Sequence, residues 1–147
     1  MDSSLAIRLT WAGLLPFVVG AVLLLLPSLI LSLGVDLAVV SRLFTSYAIA
    51  IASFMAGTHW GAVLASQSAQ TIRWPLIVSN VQLLILWWVF ALCDGSTQLG
   101  MVAVSLLISL WVDRDYRLVG LLSPRYYRHR LAVTGVVVGL IVGVLLR

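Results

Sequence analysis

Few side chains in this sequence can do chemistry. There are two histidines, five acidic residues and one cysteine, and no lysine or glutamate. The acids are Asp2, Asp36, Asp94, Asp113 and Asp115, all outside the most apolar stretches or at their edges. No nucleophile–base–acid set can be assembled from them, so no catalytic residue is expected. His59 is different. It lies in Gly57-Thr58-His59-Trp60-Gly61, roughly 10 Å of helix rise from the polar residues that follow Ala65. An ionisable side chain at such a depth in an apolar segment is a functional candidate by default. Asn80 and Gln82 lie at similar depth on the next stretch. They differ by about 200° around a helix, so only one can face His59, and Asn80 is the first candidate. A neutral imidazole bonded to an amide can join two helices, hold a ligand or carry a proton. Asp113 follows Trp111-Val112 and can pair with Arg114, Arg128 or Arg130. The candidate ligand-binding set is therefore His59, Trp60, Asn80 and Asp113. No metal site is expected, because Cys93 lies at the opposite end from the histidines. Bis-histidine haem is disfavoured because His59 and His129 sit at different depths. No cofactor is predicted; a quinone or a lipid is the ligand such a site would take.

The elements that must position these residues are five apolar stretches. Of the 147 residues, 62% are hydrophobic and 10% charged, which is too little charge to clothe a soluble domain. Candidate spans fall at about 10–33, 46–66, 74–93, 97–113 and 130–146. Each is close to the ~20 residues a helix needs to cross a bilayer. Barrel strands would be shorter and alternating, so the expected fold is all-α: one five-helix transmembrane domain. The first stretch is longer than a signal-peptide core and is read as a span. With five spans, the N-terminus, second loop and fourth loop share one side. That side holds Arg8, Arg73, Arg114, Arg117, Arg125, Arg128 and Arg130, against Arg42 and Arg147 on the other. The bias places the N-terminus inside and the C-terminus outside. It also explains the basic balance through membrane topology, so no nucleic-acid partner is expected.

Two stripes of small residues recur at every fourth position: Ser53, Gly57 and Gly61 in span two, and Gly135, Gly139 and Gly143 in span five. Such stripes allow close helix approach. Running in opposite directions at matched depth, they predict contact between spans two and five; a homo-oligomer is the alternative use. The fourth loop interleaves Arg and Tyr around an apolar centre, which suits the headgroup layer. Arg117, Arg125, Arg128 and Arg130 are its candidate lipid-headgroup residues.

Taken together, Leu15-Pro16-Phe17, Gly57-x-His59-Trp60-Gly61, Asp113 and Arg125-Tyr126-Tyr127-Arg128-x-Arg130-Leu131 resemble the family typified by mitochondrial transmembrane protein 69. The resemblance covers nearly the whole chain. It implies a compact multi-span bundle in a bacterial or mitochondrial inner membrane and brings no activity with it. A multi-pass protein of the bacterial inner membrane is the expectation here. The leading functional reading is a non-enzymatic accessory or assembly partner of a larger membrane complex. The competing readings are a quinone or lipid site in the inner leaflet around His59, and a small transporter or channel. The orientation has a direct test. With Cys93 replaced by serine, a cysteine introduced at Ser123 should react with an impermeant maleimide only from the cytoplasmic side. Labelling from outside would reverse the topology.

Overall fold

Proline decides the shape of the first apolar stretch. In the computed structural model, which describes residues 3–65 and 74–147, that stretch is three helices. They are α1 (Ser3–Ala12), α2 (Leu15–Leu25) and α3 (Pro27–Leu33). Pro16 and Pro27 each occupy a first-turn position, where the missing N–H has no helical partner to lose. Leu26, before Pro27, takes φ −121° and ψ 75° and ends α2. The carbonyl of Gly13, at the α1–α2 break, accepts a hydrogen bond from Tyr47 Oη at 2.8 Å. The expected span at 10–33 is thus an apolar run at Arg8–Leu25 followed by a separate short helix.

The remaining helices are α4 (Leu37–Ala65), α5 (Trp74–Leu92), α6 (Gly95–Leu118) and α7 (Pro124–Leu145). The chain has five helical segments long and apolar enough to cross a membrane, and no strand among the described residues. Helix α4 begins well before residue 46. Gly34, at φ 64°, closes α3, and Asp36 Oδ1 accepts the Ala38 N–H at 2.8 Å to start the next helix. Helices α6 and α7 also outrun their apolar cores. Asp94 caps α6 by accepting the Thr97 N–H at 2.8 Å, a bond that also holds its carboxyl below the ordinary range. At the far end the helix continues through Asp113 to Leu118 and stops only where Gly120 adopts φ 79°. Ser123 then caps α7, seven residues before Arg130. The polar stretch read as a loop is mostly helix, and its connection shrinks to residues 119–123. The second loop, with Arg73, lies outside the described residues, as does Asp2.

Helices α2, α4, α6 and α7 form a ring in which each packs on the next, and α5 lies outside against α4 and α6. Helix α4 is therefore central, touching α2, α5 and α6. Its inward stripe is Ala48, Ala52 and Ala56, all essentially fully buried. These small side chains allow Phe17, Ala21, Val102 and Leu106 to close over them as one apolar core. The predicted glycine-to-glycine contact between α4 and α7 is not formed; the two helices face each other across the ring and meet through Arg130 and Met55. Gly57, Gly61, Gly135 and Gly139 are exposed, and a Cβ added at any of them, or at Gly143, would meet nothing within 4 Å. Ser53 is half-buried. The alanine and glycine stripes of α4 have the same period and stand about 100° apart, so spacing alone could not show which one faces the neighbours.

The glycine with no room for a side chain is Gly20 on α2. A Cβ there would come within 2.6 Å of Phe44 Cδ2. Gly20→Ala should therefore destabilise the bundle by about 1–3 kcal/mol through overpacking. Gly57→Ala and Gly61→Ala should leave the midpoint of thermal unfolding in detergent unchanged or slightly raised. Equal losses at all three positions would contradict this packing.

Candidate functional site

Between the main apolar core and a second small cluster of Val63, Val112 and Tyr116 lies a polar layer. Its centre is built by three helices. Helix α4 brings His59, α6 brings Asp113 and α7 brings Arg130, and these are 1%, 3% and 5% exposed. Arg130 Nε donates to Asp113 Oδ2 at 2.9 Å. Another Arg130 nitrogen reaches the Met55 sulfur on α4. His59 Nε2 stands 3.5 Å from Asp113 Oδ1. That distance and alignment do not make a hydrogen bond, and both ring nitrogens of His59 lack one. A buried polar group without a hydrogen bond costs about 1–3 kcal/mol, so the imidazole retains hydrogen-bonding capacity facing the cavity.

Tyr116 completes the layer. It lies one turn beyond Asp113 on the same face of α6 and is fully buried. Its hydroxyl donates to the His59 carbonyl at 3.4 Å, and its ring meets the imidazole edge-on at 5.8 Å. The turn at Gly120 folds the chain back, with the Leu121 N–H donating to the Tyr116 carbonyl at 2.9 Å. Leu121 and Leu122 thereby pack on the small cluster and roof the layer. Beneath them is a polar cavity of about 170 Å3, lined by His59, Asp113, Tyr116 and Arg130 among others. A second cleft of about 310 Å3 lies between α1, α2, α4 and α7, where α4 and α7 face each other across the ring. Its walls include Phe17, Ile51, Phe54, Met55 and Val133. Leu9 and Phe54 are largely exposed on its rim, so it opens onto the apolar surface of the bundle. Thr58, Tyr126 and Arg130 line both spaces. The apolar cleft and the smaller cavity thus adjoin across these three residues.

The sequence-predicted residues divide at this point. His59 and Asp113 come together. Asn80 does not join them: it is exposed, and its Nδ2 donates to the Leu76 carbonyl of its own helix at 2.7 Å. Helix α5 lies outside the ring and cannot reach the face of α4 that carries His59. Its buried amide is Gln82, which donates to the Ser105 carbonyl at 2.8 Å and to the Ser105 and Ser109 hydroxyls at 3.0 and 3.3 Å. Trp60, one residue from His59, is turned outward and exposed. Arg130 was expected among headgroup contacts and is instead the buried partner of Asp113. Arg117, Arg125 and Arg128 are exposed, with Arg117 over the Tyr127 ring at 5.2 Å. Tyr116 was missed, although its i, i+3 spacing from Asp113 was readable. Among the described residues no three His, Cys, Asp or Glu side chains are placed to hold a metal.

Removing one partner from a buried ion pair strands the other charge and costs about 3–5 kcal/mol, whereas replacing both with apolar groups is often neutral. Asp113→Leu and Arg130→Met should each lower the unfolding midpoint sharply, and the double variant should recover most of the loss. Additive losses would show that the pair does not act as a unit.

Comparison with known proteins adds one match. Searches of curated proteins and of solved structures gave none. A family model described as "Protein of unknown function (DUF3429)" matches residues 3–146. The match runs through all the apolar helices and every residue of the buried cluster, and the chain belongs to this family.

Proposed function

We propose that this membrane protein binds a small amphiphile, a quinone or a lipid, with its head at His59, Asp113 and Arg130 and its tail in the cleft between α2, α4 and α7. One observation carries the reading. A surface-opening apolar cleft of about 310 Å3 meets a polar cavity at Thr58, Tyr126 and Arg130, beside a buried imidazole without hydrogen-bond partners. Ligand sites have this form, with mostly apolar walls and a few polar groups that converge. The arginine asymmetry supports an inner-leaflet position for the site. The resemblance to the transmembrane protein 69 family supports a bacterial inner membrane as its setting.

A second reading rests on a separate observation. The glycine stripes of α4 and α7 face outward with open space above them, so a helix from another chain could approach closely there. That favours an accessory or assembly partner of a larger membrane complex, or a homo-oligomer. Gentle extraction followed by native mass spectrometry separates the two readings. The amphiphile reading expects one bound small molecule per chain, lost in Val133→Trp, which fills the cleft while keeping the unfolding midpoint. Chains that carry stable protein partners and no small molecule would overturn it in favour of the second.

A further inference from the structure

We infer that the site selects a neutral head bearing a carbonyl or hydroxyl oxygen and excludes carboxylates and phosphates; the inference rests on the amphiphile reading above. The argument starts from charge. Asp113 and Arg130 are the charged side chains lining the two adjoining spaces, and they already neutralise each other at 2.9 Å. An anionic head would bring a second negative charge beside the buried Asp113 carboxylate, and like charges repel. A buried arginine would ordinarily mark an anion site. Here its cation is committed to a carboxylate of the protein itself.

The remaining hydrogen-bonding capacity points the same way. An uncharged imidazole offers one N–H donor and one acceptor; neither His59 nitrogen makes a hydrogen bond, and Nδ1 also lies clear of Asp113, whose Oδ1 is 3.5 Å from Nε2. Thr58 Oγ1 gives its proton to the Met55 carbonyl at 2.7 Å and keeps accepting capacity. Arg130 retains N–H groups beyond the one held by Asp113. A quinone carbonyl or quinol hydroxyl fits this set, and so do the ester and hydroxyl oxygens of a diacylglycerol. The two classes share the head chemistry and differ in the tail.

The test uses the full-length protein in maltoside micelles, with occupancy read by native mass spectrometry. The probes are a decyl-substituted benzoquinone, dioctanoylglycerol, dodecanoate and dioctanoyl phosphatidic acid. At least one neutral probe should bind at least tenfold more tightly than either anion, and which one binds identifies the tail class. His59→Leu should weaken that binding at least tenfold with the unfolding midpoint retained. Asp113→Asn, where it folds, should free Arg130 and raise dodecanoate binding. Anions bound as well as the neutral probes in the native chain would overturn the neutral-head inference and leave the cleft reading standing. Unchanged neutral binding in His59→Leu would overturn the head placement. No binding of any probe would overturn both readings.

Discussion

The pairing of Asp113 with Arg130 inside an apolar bundle constrains everything around it. Neither charge can stay buried alone, so α6 and α7 must meet at one register that brings carboxylate to guanidinium at 2.9 Å. That register is available only because both helices run past their apolar cores. Helix α6 carries Asp113 inward of its end, with Tyr116 one turn further, and α7 begins early enough at Pro124 to bury Arg130 in its second turn. The connection between them needs a left-handed residue, which Gly120 supplies at φ 79°. The leucines after that turn then cover the pair from the polar end of the bundle.

The same pair explains why the ring has a gap. Small residues on α4 draw α2 and α6 close through Ala48, Ala52 and Ala56, and α2 packs on α7. Helices α4 and α7 are left facing each other with the Arg130 side chain spanning the distance to Met55. A bundle with a continuous apolar seam there would have had no cleft. A long polar side chain anchored at its head to Asp113 lines the opening and places a polar group at its end.

Part of this was legible in the residues. Long apolar runs without alternation leave helices as the only means of satisfying the backbone in lipid, so the helical fold and the five spans followed from composition. The depth of His59 marked it, and Asp113 was readable as an ion-pair partner of a nearby arginine. The residues that stand apart from the buried cluster share one cause. Asn80, Trp60 and the glycines of α4 and α7 were chosen by depth and period, which fix position along a helix but not its rotation against its neighbours. A rotation of one residue, about 100°, separates Ala52 from Ser53 and His59 from Trp60. Helix ends were misjudged for a related reason: hydropathy marks where the chain becomes polar, while caps such as Asp36 and Ser123 mark where the helix starts.

By itself the sequence determined that the chain is a helical membrane protein and which ionisable residues lie at depth, because burial of charge and backbone in lipid allows few solutions. Tertiary structure decided which of those residues meet. The choice of Asp113 over Asn80 as the neighbour of His59, the burial of Arg130, and the cleft between α4 and α7 all depend on which helices are adjacent in the ring. That adjacency comes from how side chains such as Gly20, Phe44 and the alanine stripe interlock, a sum of many small contacts with no single motif to announce it.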